Sequence, residues 1–220
     1  MARPKKPTKY LRRKKVNILL VCDGQTEQNY AKFVLNECLS SKDNPVVITP
    51  KIFTKMDQAL RYMDRDPKDF DAVLFLRDLE NDQLSQTQIN NLKFKLDQVA
   101  KLGKKKKEKR KWTVFYNYPA VEIWYALHFC DKISACRNAG DSERQLKAAF
   151  PEYEKPMPRN KKEAEVFCIN MDKAVQRSKK LNITAPLPYA NQLKSHKPLT
   201  NPMTEMPELI EFIKKVKPIS

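Results

Sequence analysis

Glycine is scarce in this sequence, and its scarcity excludes two large classes of nucleotide-binding enzyme. The 220 residues include only three glycines, Gly24, Gly103 and Gly140. Glycines this far apart build neither the G-x-G-x-x-G fingerprint of dinucleotide-binding folds nor the G-x-x-x-x-G-K-[ST] phosphate loop. The sequence therefore argues against a Rossmann oxidoreductase and against a P-loop nucleotide hydrolase.

Long apolar runs and paired cysteines are also missing. No run approaches the ~18 apolar residues of a membrane span. The basic N-terminal segment lacks the features of a secretory signal, because the apolar stretch Val16–Cys22 is followed at once by Asp23. The five cysteines are odd in number and lack C-x-x-C spacing, which argues against a disulfide scaffold or a zinc ribbon. We expect a soluble, cytoplasmic protein whose cysteines are small buried hydrophobes.

Acidic residues are outnumbered, and the basic excess is concentrated in two segments. The chain has 43 Lys+Arg against 26 Asp+Glu, a formal charge of +17. Residues 1–15 contain eight basic residues and no acid, and residues 101–111 contain eight basic residues and one acid, Glu108. The rest of the chain is therefore nearly neutral.

A single lysine run is a solvated surface segment about as often as it is a binding segment. Two such segments in one chain, however, favour a polyanionic partner. Basic side chains neutralise phosphates and release counterions. Membrane adsorption usually adds an amphipathic apolar face, which neither segment has. Nucleic acid, rather than a membrane, is the expected partner. The candidate nucleic-acid-binding residues are Arg12, Arg13, Lys14, Lys15, Lys104, Lys105, Lys106, Lys107, Lys109, Arg110 and Lys111.

Strand and helix patterns alternate over the first 131 residues. Continuous apolar strands are predicted at 16–22 and 70–76, with further strands at 45–53 and 112–116. This alternation is typical of an α/β fold with an open, mostly parallel sheet flanked by helices. The predicted organisation is a basic flexible arm at 1–15, an α/β core at 16–131 with a basic insert at 101–111, and a mainly helical C-terminal part at 132–220 packed on the core.

Carboxylates follow the two strongest predicted strands: Asp23 and Glu27 follow the first, and Asp78, Glu80 and Asp82 follow the other. Because the carboxyl ends of parallel strands meet at one sheet edge, we expect these side chains to converge. An acid at a helix start is, by itself, more often a cap or a dipole partner. The pairing of two acidic strand ends favours a metal site instead.

Oxygen ligands without His or Cys suit Mg²⁺, with Mn²⁺ as an alternative. Such an ion supports attack on a phosphodiester, which agrees with a nucleic-acid partner.

Several segments, in matching order, resemble the RloB family, whose fold is a variant of the Toprim domain. LLVCDGQTEQNY at 19–30 resembles its I-V-C-E-G-x-T-E-x-x-Y opening, and LRDLEND at 76–82 resembles a strand ending in D-x-D. NYPAVEIWYALHF at 117–129 resembles S-N-P-x-F-E-L-W-L-L-L-H-F. Residues 153–155 and 201–209 resemble the later Y-x-K and N-P-x-T-x-x-x-x-L-V elements.

The resemblance implies a Toprim-like core, Mg²⁺ dependence and nuclease chemistry in bacterial defence against phage, often beside an ATPase encoded nearby. Asp23 takes the place of a Glu that serves as ligand or general acid–base, and Glu27 matches the second acid of that segment. Asp78 and Glu80 take the D-x-D positions as Mg²⁺ ligands, and Glu122 matches the Glu of F-E-L-W. Asp23 is one methylene shorter than the usual residue, and Glu80 is one longer.

The resulting prediction assigns catalysis to Asp23, Glu27 and Glu122, and metal binding to Asp23, Asp78, Glu80 and Asp82. Glu122 also suits a first helical turn without any catalytic role. The enzymatic hypothesis is a Mg²⁺-dependent nuclease acting on RNA or DNA. The alternatives are a catalytically degenerate nucleic-acid-binding or effector subunit of an ATPase-coupled defence complex, and a structural partner of that ATPase.

Overall fold

A single mostly parallel sheet organises the molecule. The structure is a computed structural model that describes residues 15–41, 45–53, 56–65, 70–79, 97–99, 101, 109–184 and 201–218. In these ranges the strands are β1 (Val16–Cys22), β2 (Val46–Ile52), β3 (Ala72–Asp78), β4 (Lys111–Tyr118) and β5 (Met203–Thr204), in the order β2-β1-β3-β4-β5. Strands β2, β1, β3 and β4 are parallel, and β5 is antiparallel to β4. The predicted α/β fold is confirmed.

The central strands are apolar on both faces because both faces are covered. Ile18 and Leu20 of β1 belong to the larger core, and Leu19 and Val21 belong to a smaller core on the other face. All four side chains are fully buried. Continuous apolar strands of this kind are typical of parallel sheets with both faces covered.

Strand β2 tolerates a proline because it is an edge strand of the described sheet. Pro50 lies opposite Leu20 in the β1–β2 register. An edge strand has one side without a neighbouring strand, so a residue that lacks an N–H group can be accommodated there. The sequence therefore predicted this strand correctly despite its proline.

Short helical segments flank the sheet, and longer helices follow in the second half of the chain. They are α1 (Gln25–Tyr30), a π-helical segment (Ala31–Leu35), α2 (Asn36–Leu39), α3 (Met56–Arg65), α4 (Glu122–Ala126), α5 (Ala139–Ala149), α6 (Lys161–Lys180) and α7 (Met206–Lys215). Asn138 and Asn160 cap α5 and α6 by accepting hydrogen bonds from the N–H groups of Asp141 and Glu163.

Helix α4 is short and ends in a tighter turn. After Ala126 the N–H groups of His128 and Phe129 donate to the carbonyls three residues earlier, over 3.0 and 2.9 Å. These bonds form a tighter turn in place of a further α-helical turn.

The described residues of the C-terminal part are mainly helical, and they also contribute β5 to the sheet. Most of the basic arm (residues 1–14) and most of the basic insert (residues 102–108) lie outside the described residues. Among the helices that the structure describes, none combines the length and apolar character needed to cross a membrane.

The cysteines include one pair that the sequence analysis did not anticipate. Cys38 of α2 and Cys168 of α6 form a disulfide, with their Cα atoms 6.0 Å apart. Cys22 and Cys136 are buried thiols, as expected. The expectation for Cys38 and Cys168 was wrong because 130 residues separate them, and only the packing of α6 against the π-helical segment Ala31–Leu35, which continues into α2, brings them together.

Candidate functional site

The strand order places a crevice between β1 and β3. The chain leaves β1 for β2 on one side and then crosses to β3 on the other side. In open α/β sheets, ligands bind outside the carboxyl ends of the strands at such a switch point. Asp23 directly follows β1, and Asp78 is the last residue of β3. The topology therefore places the two acidic strand ends at one position.

A pocket of about 230 Å³ opens at this position. Four carboxylates line it, those of Asp23, Glu27, Asp78 and Glu122, together with the ammonium group of Lys155. The rest of the wall is made of small residues, Gly24, Thr26, Ala120, Val121 and Ala139. A polar, acidic pocket lined by small side chains leaves room for a charged ligand.

Asp78 is held by donors on both of its carboxylate oxygens. The Asn117 side-chain amide donates to Oδ1, and the backbone N–H of Val121 donates to Oδ2, each over 3.1 Å. The backbone N–H of Asp78 donates to Asp23 Oδ2 over 3.2 Å, so the two acidic strand ends are in contact. Burial and the negative charges of Glu27 and Glu122 raise the pKa of Asp78 well above its ordinary value.

Glu27 lies on the first turn of α1 and is only 5% exposed. Burial and the nearby Glu122 raise its pKa, although a hydrogen bond with Asp78 acts in the opposite direction. A Cβ atom at Gly24 would lie 3.0 Å from Glu27 Oε2. A side chain at position 24 would therefore contact the Glu27 carboxylate, which would have to shift by a few tenths of an ångström.

Basic residues neutralise two of the four carboxylates. Arg77 forms an ion pair with Asp23 and also donates to the carbonyl of Phe53 over 3.1 Å. Lys155 Nζ lies 2.7 Å from Glu122 Oε1 and 3.2 Å from Glu143 Oε2. Burial alone would lower the pKa of Lys155, but the hydrogen bonds to these acids outweigh burial and raise it.

The other two carboxylates, those of Glu27 and Asp78, form no ion pair with a basic side chain in the part of the chain that the structure describes. Burial and the repulsion from neighbouring carboxylates raise the pKa values of both groups. In one half of the pocket basic side chains neutralise the carboxylates, and in the other half no basic side chain among the described residues offsets the cost of ionising Glu27 and Asp78.

Comparison with protein families adds one finding. A family model described as "RloB-like protein" matches residues 18–213. The chain belongs to the RloB-like family. No match was found among curated proteins, and none was found among solved structures.

In this RloB-like chain, two groups of predicted site residues lie outside the described residues. Glu80 and Asp82 follow β3 in sequence, but the residues that the structure describes in this segment end at Leu79. Arg12, Arg13 and Lys14 also lie outside it, as do Lys104 to Lys107. Of the remaining predicted nucleic-acid-binding residues, Lys15, Lys109 and Lys111 are exposed and Arg110 is half-buried.

Two basic residues that pair with pocket carboxylates were missed by sequence reasoning. Arg77 precedes Asp78 in a strand that otherwise reads as apolar, and that interruption of the apolar pattern was the available signal. Lys155 belongs to the Y-x-K segment of the family resemblance, but its local sequence does not indicate that it contacts Glu122. Both contacts depend on the tertiary structure.

His128 lies outside the pocket, in a buried network. Its Nδ1 donates to the carbonyl of Trp124 over 2.9 Å, and its Nε2 accepts from the Tyr30 hydroxyl over 3.1 Å. The indole N–H of Trp124 donates in turn to the Tyr30 oxygen over 2.8 Å. Burial lowers the pKa of His128 to about 4. His128 is therefore a neutral packing residue.

The donor chemistry of the pocket fits a hard divalent cation. All four acidic side chains offer oxygen, the ligand that Mg²⁺ and Mn²⁺ prefer. Within the described residues, no group of three or more His, Cys, Asp or Glu is arranged as a ready metal cluster. A cation placed there would offset the repulsion between Glu27 and Asp78, which no basic side chain among the described residues relieves.

Proposed function

We propose that this RloB-like chain is a Mg²⁺-dependent, Toprim-type nuclease that hydrolyses phosphodiesters of RNA or DNA in bacterial defence against phage. The observation that supports the proposal is the convergence of four carboxylates in one pocket at the switch point between β1 and β3. Two of these carboxylates lie where no basic side chain among the described residues compensates them.

Asp23 and Asp78 would hold the ion, together with Glu80 and Asp82, which follow β3 in sequence. Bound Mg²⁺ or Mn²⁺ would polarise the scissile phosphate and stabilise the leaving oxygen. Glu27 supplies acid–base chemistry, because its raised pKa brings its proton exchange closer to neutral pH. Lys155 keeps its charge at the pocket wall, where an ammonium group attracts a phosphate oxygen.

The two basic segments support a nucleic-acid substrate. They hold most of the net charge of +17 and flank, in sequence, a core that is nearly neutral. Electrostatic attraction of this kind is independent of base sequence, so it supports RNA and DNA equally. An ATPase encoded nearby is the proposed partner in the cell, in agreement with the family resemblance.

The test is a magnesium titration of cleavage on mixed tRNA, single-stranded RNA and plasmid DNA, with and without the neighbouring ATPase. Glu27→Gln should reduce the Mg²⁺-dependent rate by about 10²- to 10⁴-fold, the usual contribution of a general acid–base residue. Glu165→Gln, which makes the same change on the exposed face of α6, is the matched control. Full activity of Glu27→Gln, or cleavage that does not respond to Mg²⁺, would refute the proposal.

A second candidate function is a catalytically degenerate nucleic-acid-binding or effector subunit of the ATPase-coupled complex. The observation that favours it is the pairing of Asp23 with Arg77 and of Glu122 with Lys155, which neutralises half of the acidic set. This alternative predicts nucleic-acid binding without cleavage at any Mg²⁺ concentration, and co-purification with the ATPase.

A further inference from the structure

A chain of hydrogen bonds connects the C-terminal segment to the pocket. The backbone N–H of Met206 donates to Thr204 Oγ1 over 3.2 Å, and the Thr204 hydroxyl donates to Asn117 Oδ1 over 2.7 Å. The Asn117 amide then donates to Asp78 Oδ1 over 3.1 Å. Asn117 and Thr204 are both fully buried, with 0% exposure. The chain therefore links three strands through the interior of the protein.

The sheet register explains why these side chains meet. Asp78 lies opposite Asn117 in the β3–β4 pair, and Asn117 lies opposite Thr204 in the β4–β5 pair. Directly opposed residues on neighbouring strands have their side chains on one face, close enough to interact. The three residues form one row across the carboxyl end of the sheet, and this row ends at the pocket.

The hydrogen-bond roles in this row follow from the groups at its two ends. The Asp78 carboxylate can only accept, so the NH₂ group of Asn117 faces Asp78 and its Oδ1 faces Thr204. The Thr204 hydroxyl therefore donates its single proton to Asn117 Oδ1, and its oxygen accepts from the backbone N–H of Met206. Without the Thr204 hydroxyl, the Asn117 amide could flip and place its oxygen against the Asp78 carboxylate, where two acceptors repel.

We propose that Asn117 and Thr204 are positioning residues that hold the Asp78 carboxylate as an oriented acceptor facing the pocket. The N–H of Val121 fixes the second oxygen of Asp78, so each oxygen has one donor from the protein and keeps further lone pairs for a ligand. The C-terminal segment 201–218 thereby completes the site, although neither Asn117 nor Thr204 lines the pocket. The identity of the ligand, a divalent cation, rests on the proposed function.

The experiment compares Thr204→Val with Thr204→Ser in the full-length protein. Valine keeps the shape of threonine and removes the hydroxyl, while serine keeps the hydroxyl and loses only a methyl group. Thr204→Ala is measured alongside, because it removes the hydroxyl without placing a methyl group against Asn117 Oδ1. The matched control is Thr113→Val, which makes the same change on β4, away from this row of residues.

The first measurement is the NMR signal of the Asn117 side-chain amide in ¹⁵N-labelled protein. Thr204→Val and Asp78→Ala should each move this signal, since each removes one of the two partners of the amide. Thr204→Ser and Thr113→Val should leave it in place. An Asn117 signal that does not respond to Thr204→Val or Thr204→Ala would overturn the inference, with or without a metal.

The second measurement is Mg²⁺ affinity by calorimetry, without nucleic acid. Loss of a residue that orients a metal ligand typically weakens metal binding by about 10- to 100-fold. Thr204→Val should show this loss and Thr204→Ser should retain parental affinity. Equal affinity in Thr204→Val and the parent would overturn the inference. If the parent binds no Mg²⁺ while the Asn117 signal responds as expected, the proposed function fails and the positioning of Asp78 stands.

Discussion

At the scale of single residues, Arg77 neutralises one of the four carboxylates of the pocket. Its guanidinium group pairs with Asp23, a carboxylate that would otherwise be available to a cation. The arginine also donates to the Phe53 carbonyl, which ties the end of β3 to the segment after β2. A divalent cation that uses Asp23 must therefore compete with Arg77.

Arg77→Gln should tighten Mg²⁺ binding by roughly tenfold or more. A hydrogen bond to a charged group contributes about 1.5–3 kcal/mol, and 1.4 kcal/mol corresponds to about tenfold in affinity. Glutamine removes the charge while keeping a donor for the Phe53 carbonyl. Calorimetry measures the change, and Arg65→Gln on the exposed end of α3 is the control. Weaker binding in Arg77→Gln would show instead that the arginine holds Asp23 in its binding position.

His128 should make the free energy of unfolding depend on pH. Its pKa is about 4 in the folded protein and about 6.5 in an unfolded chain. A lowered pKa means that the stabilisation is fully present above pH 6.5 and is lost as the pH falls towards 4. The difference in unfolding free energy between the parent and His128→Gln should therefore be largest near pH 7 and shrink on acidification. Urea unfolding at several pH values measures it, and a constant difference would contradict the prediction.

At the scale of elements, α6 packs against aromatic residues that hold the pocket wall in place. Phe167 of this helix packs against the rings of Tyr30 and Tyr125, with centroids 6.0 and 5.1 Å away. The Tyr125 hydroxyl donates to the carbonyl of Thr26, a residue of the pocket wall, over 3.0 Å. The position of the wall therefore depends on the packing of a helix more than 130 residues further along the chain.

Phe167→Ala should lower the free energy of unfolding by about 3–5 kcal/mol, because the buried ring leaves a cavity among its neighbours. Ile169→Ala on the same helix is the matched control. Ile169 is 76% exposed, so its change should stay within about 0.5 kcal/mol. Chemical denaturation of both variants measures the difference. Similar small losses in both would mean that α6 is not packed on the core in this way.

At the scale of the whole molecule, the charge distribution is consistent with two separate tasks. The pocket gathers acidic side chains, whereas the net charge of +17 comes mainly from residues 1–15 and 101–111. An acidic pocket alone would repel a nucleic acid. In the proposed function the basic segments would supply the attraction that the pocket lacks, and this attraction should fall with salt.

Replacing Lys104, Lys105, Lys106 and Lys107 with glutamine should flatten the salt dependence of duplex binding. At about 0.9 per neutralised phosphate, the slope of log K against log salt should fall in magnitude by about 3 to 4 units. RNA and DNA should be affected alike. Fluorescence anisotropy over a salt series measures the slope, and the control changes Lys162, Lys173, Lys179 and Lys180, four exposed lysines of α6. Equal effects of the two variants would indicate a response to net charge alone.

The sheet and the two acidic strand ends could be predicted from the sequence alone. The apolar run predicted at 16–22 is β1, and the run predicted from residue 70 is β3, which extends to Asp78. These features are local, because a strand covered on both faces needs consecutive apolar residues. The parallel arrangement then brings Asp23 and Asp78 to one edge. The family resemblance added Glu122, which the structure also places in the pocket.

Only the tertiary structure decided which partners these carboxylates have. Arg77 pairs with Asp23 across 54 residues of sequence, and Thr204 bonds Asn117 across 87. Lys155 reaches Glu122 from a different segment of the chain, and Cys38 meets Cys168 only because α6 packs against the π-helical segment that precedes α2. A local sequence pattern predicts which side chains are buried and whether a segment is a strand or a helix. Contacts between distant segments depend on the register of the strands and the packing of the helices, and these arise only when the chain is folded.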